Sequence, residues 1–122
     1  MRPLRVTACS VASACGAGVA ALSAALREGR SGLRANDFTE APLATFIGRV
    51  PGVEDCALPA DLADWECRNN RLAWLALGCD GFRERALAAR ERYGAHRVAL
   101  VLGTSTSSIG ATQEAHRPLL PD

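Results

Sequence analysis

Few side chains in this sequence could act as nucleophiles, bases or metal ligands. They are five cysteines (Cys9, Cys15, Cys56, Cys67 and Cys79), two histidines (His96 and His116) and a turn dense in hydroxyls from Thr104 to Ser108. The cysteines are odd in number and no two have the close spacing of a zinc site, so they read as reduced thiols, mostly buried as small apolar residues. A cysteine becomes a strong nucleophile where a helix amino terminus or a cation stabilises its thiolate. Cys9 falls where a short β-type run ends and Cys15 lies in Ser13-Ala14-Cys15-Gly16; Cys9 has no helix start directly behind it. His96 precedes a strand and His116 falls in a terminal helix-like segment, and without a matching partner both read as solvated or capping residues. Trp65, Trp74 and Phe82 read as core or interface packing. The acidic residues are scattered, and no pair has the context of a hydrolase site. All fourteen basic residues are arginine, which removes Schiff-base and Walker-type lysine chemistry.

The hydroxyl turn is the place where a ligand is most expected. It follows Val98, Ala99, Leu100, Val101 and Leu102, five consecutive apolar residues between Arg97 and Gly103. That run is too short for a helix and reads as a strand buried on both faces. In α/β proteins ligands gather at the carboxyl ends of parallel strands. The same hydroxyls could instead cap the following helix and bond the turn. A phosphate site in Gly103 to Gly110 lacks both GxGxxG and GxxxxGK[ST], which leaves an unrelated small α/β ligand-binding domain as an alternative.

Upstream, Leu4 to Ala8 forms a weak β-type run. A Ser, Ala and Gly cluster follows, with Gly16 and Gly18 where the backbone must turn. Val19, Leu22, Ala25 and Leu26 repeat at helical spacing up to Glu28, and Gly29 suits the helix end. Residues 30–42 read as loop, Leu43 to Val50 as a short strand with an irregularity at Gly48, and Pro51 to Asp64 as loop with one helical turn after Pro59. From Arg68 to Tyr93 one long helix is expected, with Leu72, Leu75, Ala76, Cys79, Phe82, Ala86 and Leu87 on its apolar face and Gly94 ending it. Gly78 and Gly81 each cost such a helix about 1 kcal/mol, which suggests close packing there. Strand, helix, long helix, strand fits a βαβ unit with a right-handed crossover. A doubly buried strand needs more neighbours than these, so the chain reads as the front of something larger.

The totals exclude several classes. With 48% hydrophobic and 22% charged residues the chain is globular, and a net charge of +1 provides no field for nucleic acid or an anionic membrane. Arg2 and Arg5 ahead of VTACSVASA imitate an export leader, but that stretch has no run of Leu or Phe, and a cytoplasmic location is expected.

Three blocks resemble the β-ketoacyl-acyl-carrier-protein synthases, the condensing enzymes of the thiolase fold. Val6 to Gly18 (VTACSVASACGAG) is similar to the family's opening VTGxGxVSPxGxG, and Glu28 to Leu33 (EGRSGL) to its helix end AGxSGI. Phe46 to Val50 (FIGRV) is similar to FAGxV, and Arg97 to Gly110 to RVGVIVGTGxGG with its loop and helix. Ala8 and Ser10 stand for two of the family's glycines and Ala14 for its proline, which suggests a divergent branch such as polyene or other specialised lipid synthesis. The resemblance covers essentially the whole chain and the first quarter to third of the family's domain.

What the resemblance implies is an α/β fold, specifically a partial thiolase-like fold comprising the first βαβ portion of the amino-terminal half, over residues 1–122. The family reaction is a decarboxylative Claisen condensation of an acyl thioester with malonyl-acyl carrier protein, in fatty-acid, polyene or polyketide synthesis. It runs on a cysteine thiolate and two histidines, needs no metal or organic cofactor, and takes place in a dimer. None of those catalytic positions falls within residues 1–122, so this chain alone is expected to be inactive. Thr7-Ala8-Cys9-Ser10 imitates the nucleophile's tetrapeptide at a position the family fills with a hydrophobe. One role carries over: Thr106 matches a position in the loop that lines the acyl pocket. The implied partners are acyl carrier protein and a second ketosynthase chain, in a homodimer or heterodimer. A ketosynthase-like subunit without a nucleophile, shaping chain length in a heterodimer, is the other reading in the same family.

Overall fold

The computed structural model describes residues 3–38 and 43–103. It is a mixed α/β arrangement of two small antiparallel sheets and three main helices. Strands β1 (Ala12–Ser13) and β2 (Gly16–Ala17) form a tight hairpin, paired Ala12 to Ala17 and Ser13 to Gly16. The Ser13 hydroxyl stabilises its turn, accepting from the Cys15 N–H at 3.2 Å. The chain passes through Gly18 at φ +90°, a value that disfavours any side chain, directly into α1 (Val19–Arg27). The expected helix after the glycine cluster is therefore present, and Gly29 follows it at φ +62° as the helix end requires.

Strand β3 (Leu33–Ala35) pairs antiparallel with β4 (Phe46–Gly48), joining Leu33 to Gly48 and Ala35 to Phe46. The expected strand at Leu43 to Val50 is thus confined to three residues, and its partner lies in a segment read as loop. Three residues carry too little period for a strand to be seen in sequence. Gly48 sits in regular register rather than at an irregularity. The helical turn after Pro59 appears as a 3₁₀ turn, Ala60–Trp65.

The long helix expected over Arg68 to Tyr93 is two helices. Helix α2 (Arg68–Gly78) and α3 (Phe82–Tyr93) meet at a 3₁₀ turn, Cys79–Gly81, where Asp80 and Gly81 have φ +56° and +66°. Two successive left-handed residues end the α2 hydrogen-bond ladder and redirect the chain. Gly81 is therefore a turn residue, and a Cβ at Gly78 would meet open space, so the close packing expected at these glycines is absent. The apolar stripe divides accordingly: Leu72, Leu75 and Phe82 are half-buried, whereas Leu87 on α3 is exposed.

The fully buried apolar residues among those described are Ala25 on α1 and Val53 in the loop before α2. That loop is held to α2 by arginines. Arg71 donates to the Glu54 carbonyl at 2.8 Å and Arg68 to the Glu54 carboxylate at 2.9 Å. The doubly buried strand expected at Val98–Leu102 is not formed: these residues pair with no strand among the described residues, and Leu100 and Val101 are 90% and 92% exposed. Leu4 to Ala8 is likewise unpaired, with Leu4 99% exposed. A strand is a property of a ladder, and an apolar run without a neighbour has nothing to close its backbone bonds.

Candidate functional site

The amino end of α1, the segment Val6–Cys9 and the α2–α3 junction converge on one open cleft of 370 Å³, lined by Val6, Thr7, Cys9, Val19, Asp80 and Arg85 among others. Its geometry begins with the left-handed Asp80. That conformation turns the carboxylate onto the first helical amide of α1, and the Val19 N–H donates to both oxygens at 3.1 Å. Gly18, which flanks that helix, makes no side-chain cap, so a residue 61 positions away performs the capping. A carboxylate here also opposes the positive end of the helix dipole. On the other wall Arg85 donates to the Thr7 carbonyl at 3.3 Å and ties the amino-terminal segment to α3.

Cys9 is exposed in this cleft and Cys15 is half-buried in the β1–β2 turn. The cleft brings Cys9 and the start of α1 together although Val19 lies ten positions after Cys9. That amide is already engaged by a carboxylate, and Arg85 is engaged by a carbonyl. The arrangement therefore works as a structural joint, without a free donor at that amide to hold an oxyanion. The thiols are free, as the odd count suggests, but they are not buried as expected: Cys9 and Cys67 are exposed, and Cys15, Cys56 and Cys79 are half-buried. With only two fully buried apolar residues described, little interior exists to receive them.

Thr106, the hydroxyl turn from Thr104 and His116 lie outside the described residues. His96 is exposed and folds its ring over Gly94. Among the described residues no group of three or more His, Cys, Asp and Glu could hold a metal ion. Trp65 is 69% exposed rather than packed, whereas Trp74 is half-buried beneath Arg83, whose guanidinium lies 5.0 Å from the ring centre.

A second polar cluster joins the β3–β4 unit. Asp37 accepts from Arg34 and, at 2.7 Å, from Arg49, and the Arg49 guanidinium stacks 4.2 Å from the Phe38 ring centre. The Arg34 bond first, then Arg49, hold the Asp37 carboxyl below its usual value against some desolvation. Glu66 is lowered in the same way by Arg71, with a smaller contribution from the Leu58 N–H. These are matched ion pairs on exposed surface, where such pairs contribute little to stability.

Asp80 was not legible as a functional position. Its signal was local: an Asp between glycines in Gly78-Cys79-Asp80-Gly81 is turn chemistry inside a helical period. Among the described residues no helix is long and apolar enough to cross a membrane. Comparison with protein-family models, with curated proteins and with solved structures finds no match for this chain.

Proposed function

We propose that this chain is the amino-terminal part of a β-ketoacyl-acyl-carrier-protein synthase, supplying scaffold to an enzyme that condenses an acyl thioester with malonyl-acyl carrier protein. The motif blocks quoted above carry the reading. The structural observation most in keeping with it is the state of two β-type runs. Val98 to Leu102, and Leu4 to Thr7 in the weaker run ending at the half-buried Ala8, are exposed and unpaired among the described residues, although the composition of Val98 to Leu102 suits a sheet interior. In a thiolase-like fold they would become parallel neighbours joined by a right-handed crossover, with further strands covering them. The hairpin turning through Gly18 into α1, and the β3–β4 pair containing Phe46–Gly48, each fall on a quoted block.

On this reading the reactive cysteine and the two histidines come from sequence that residues 1–122 do not supply. The cleft around Cys9 serves to seat the first strand. The test is an assay of malonyl-acyl carrier protein decarboxylation and of acyl-chain extension. The polypeptide encoded through and beyond Asp122 should catalyse both, while residues 1–122 should catalyse neither. Turnover by residues 1–122, or its selective loss on Cys9→Ser, would overturn the proposal. Chain extension that appears only with a second ketosynthase chain supplying the nucleophile would replace it with the non-catalytic partner.

A further inference from the structure

We infer that Cys56 and Cys79 form a dithiol site that a small-molecule disulfide closes into an intramolecular bridge. The two cysteines are 23 positions apart, yet both line one open cleft of 330 Å³ with Trp74 and Leu75 as neighbours. Both are free and half-buried, so a reagent can reach them. Their sulfurs differ in setting. The Cys79 S–H donates to the Leu75 carbonyl at 3.2 Å, one turn back along α2. Cys56 lies within electrostatic reach of the Arg71 guanidinium. Cys56 sits in a loop and Cys79 at a helix break with extended backbone, so both can adjust to the narrow geometry of a disulfide.

The exchange balances without another redox partner. The Cys56 thiolate attacks one sulfur of the reagent, forming a mixed disulfide and expelling one reagent thiolate. Cys79 then attacks the Cys56 sulfur and expels the second. Two protein thiols lose two electrons and two protons, and one reagent disulfide is reduced to two thiols. The product ties the loop before α2 to the turn that carries Asp80, and so to the start of α1.

The test is incubation of the full chain with oxidised glutathione, followed by peptide mapping under non-reducing conditions. The Cys56–Cys79 linked peptide should exceed any other pairing by about tenfold. In Cys56→Ser the bridge should vanish and Cys79 should be recovered as thiol or glutathione adduct, with the converse in Cys79→Ser. Adducts at Cys9 and Cys67 with Cys56 and Cys79 unlinked would overturn the inference. So would a bridge that forms equally well in denaturing urea, because pairing would then be statistical.

Discussion

At the scale of single residues, Asp80 joins distant parts of the described fold. It stands in a left-handed conformation uncommon for a residue with a side chain, and its carboxylate caps a helix that has no cap of its own. Asp80→Ala should remove about 1 kcal/mol from α1, read as roughly fivefold faster amide exchange over that helix, with Asp80→Asn losing less because its amide oxygen still accepts. Gly18 constrains the same joint: a Cβ there would lie 3.1 Å from the Asp80 carboxylate. The Asp37 and Glu66 pairs make a small, pH-dependent contribution. Both carboxyls are depressed in the folded chain, so their contribution is complete above the ordinary values of 3.8 and 4.5 and is lost as pH falls through the lower folded ones. An NMR titration should show the Asp37 midpoint rising toward 3.8 in Arg34→Ala, and salt should shrink the difference. Under the ketosynthase proposal Thr106→Phe in the intact enzyme shortens the acyl chains accepted, and an unchanged product profile would remove Thr106 from the tunnel.

Among elements, the close approach lies between the β1–β2 turn and the β3–β4 pair. A Cβ on Gly32 would sit 2.6 Å from the Ala14 carbonyl carbon, and one on Gly48 would be 3.1 Å from the Ala14 Cβ. The turn residue Ala14 is thus seated between two glycines on neighbouring segments. Gly32→Ala should cost about 1–3 kcal/mol, since backbone rather than a flexible side chain must move. Gly78→Ala is the contrasting case, in open space with helical backbone at φ −78°. It should stabilise α2 by up to about 1 kcal/mol, seen as increased helicity by circular dichroism. The two glycines look alike in sequence, and only their surroundings give them opposite signs.

Over the whole molecule, apolar side chains among the described residues are left uncovered. Leu4, Val6, Leu100, Val101 and Leu102 are among the apolar side chains left 82% or more exposed. Residues 1–122 alone should therefore bind a hydrophobic dye and melt broadly. A sharp calorimetric transition near 0.7 kcal/mol per residue would contradict this.

Local chemistry was legible in the sequence wherever the cause was local. The turn at Gly16 to Gly18, the helix behind it, its end at Gly29, the turn after Pro59 and the end of α3 at Gly94 all follow from backbone freedom and apolar period within a few residues. Between α2 and α3 the apolar period runs unbroken through Asp80 and Gly81 and predicts one helix, and it outweighs the local turn chemistry of Gly78-Cys79-Asp80-Gly81 until the structure shows both residues left-handed. The apolar period also misses β3, whose three residues take their form from β4 rather than from any pattern of their own. Which amide Asp80 caps, which two thiols share a cleft, and that Val98–Leu102 has no strand beside it among the described residues are facts about distant parts of the chain. Contacts between residues tens of positions apart depend on how elements pack, and packing is decided in three dimensions.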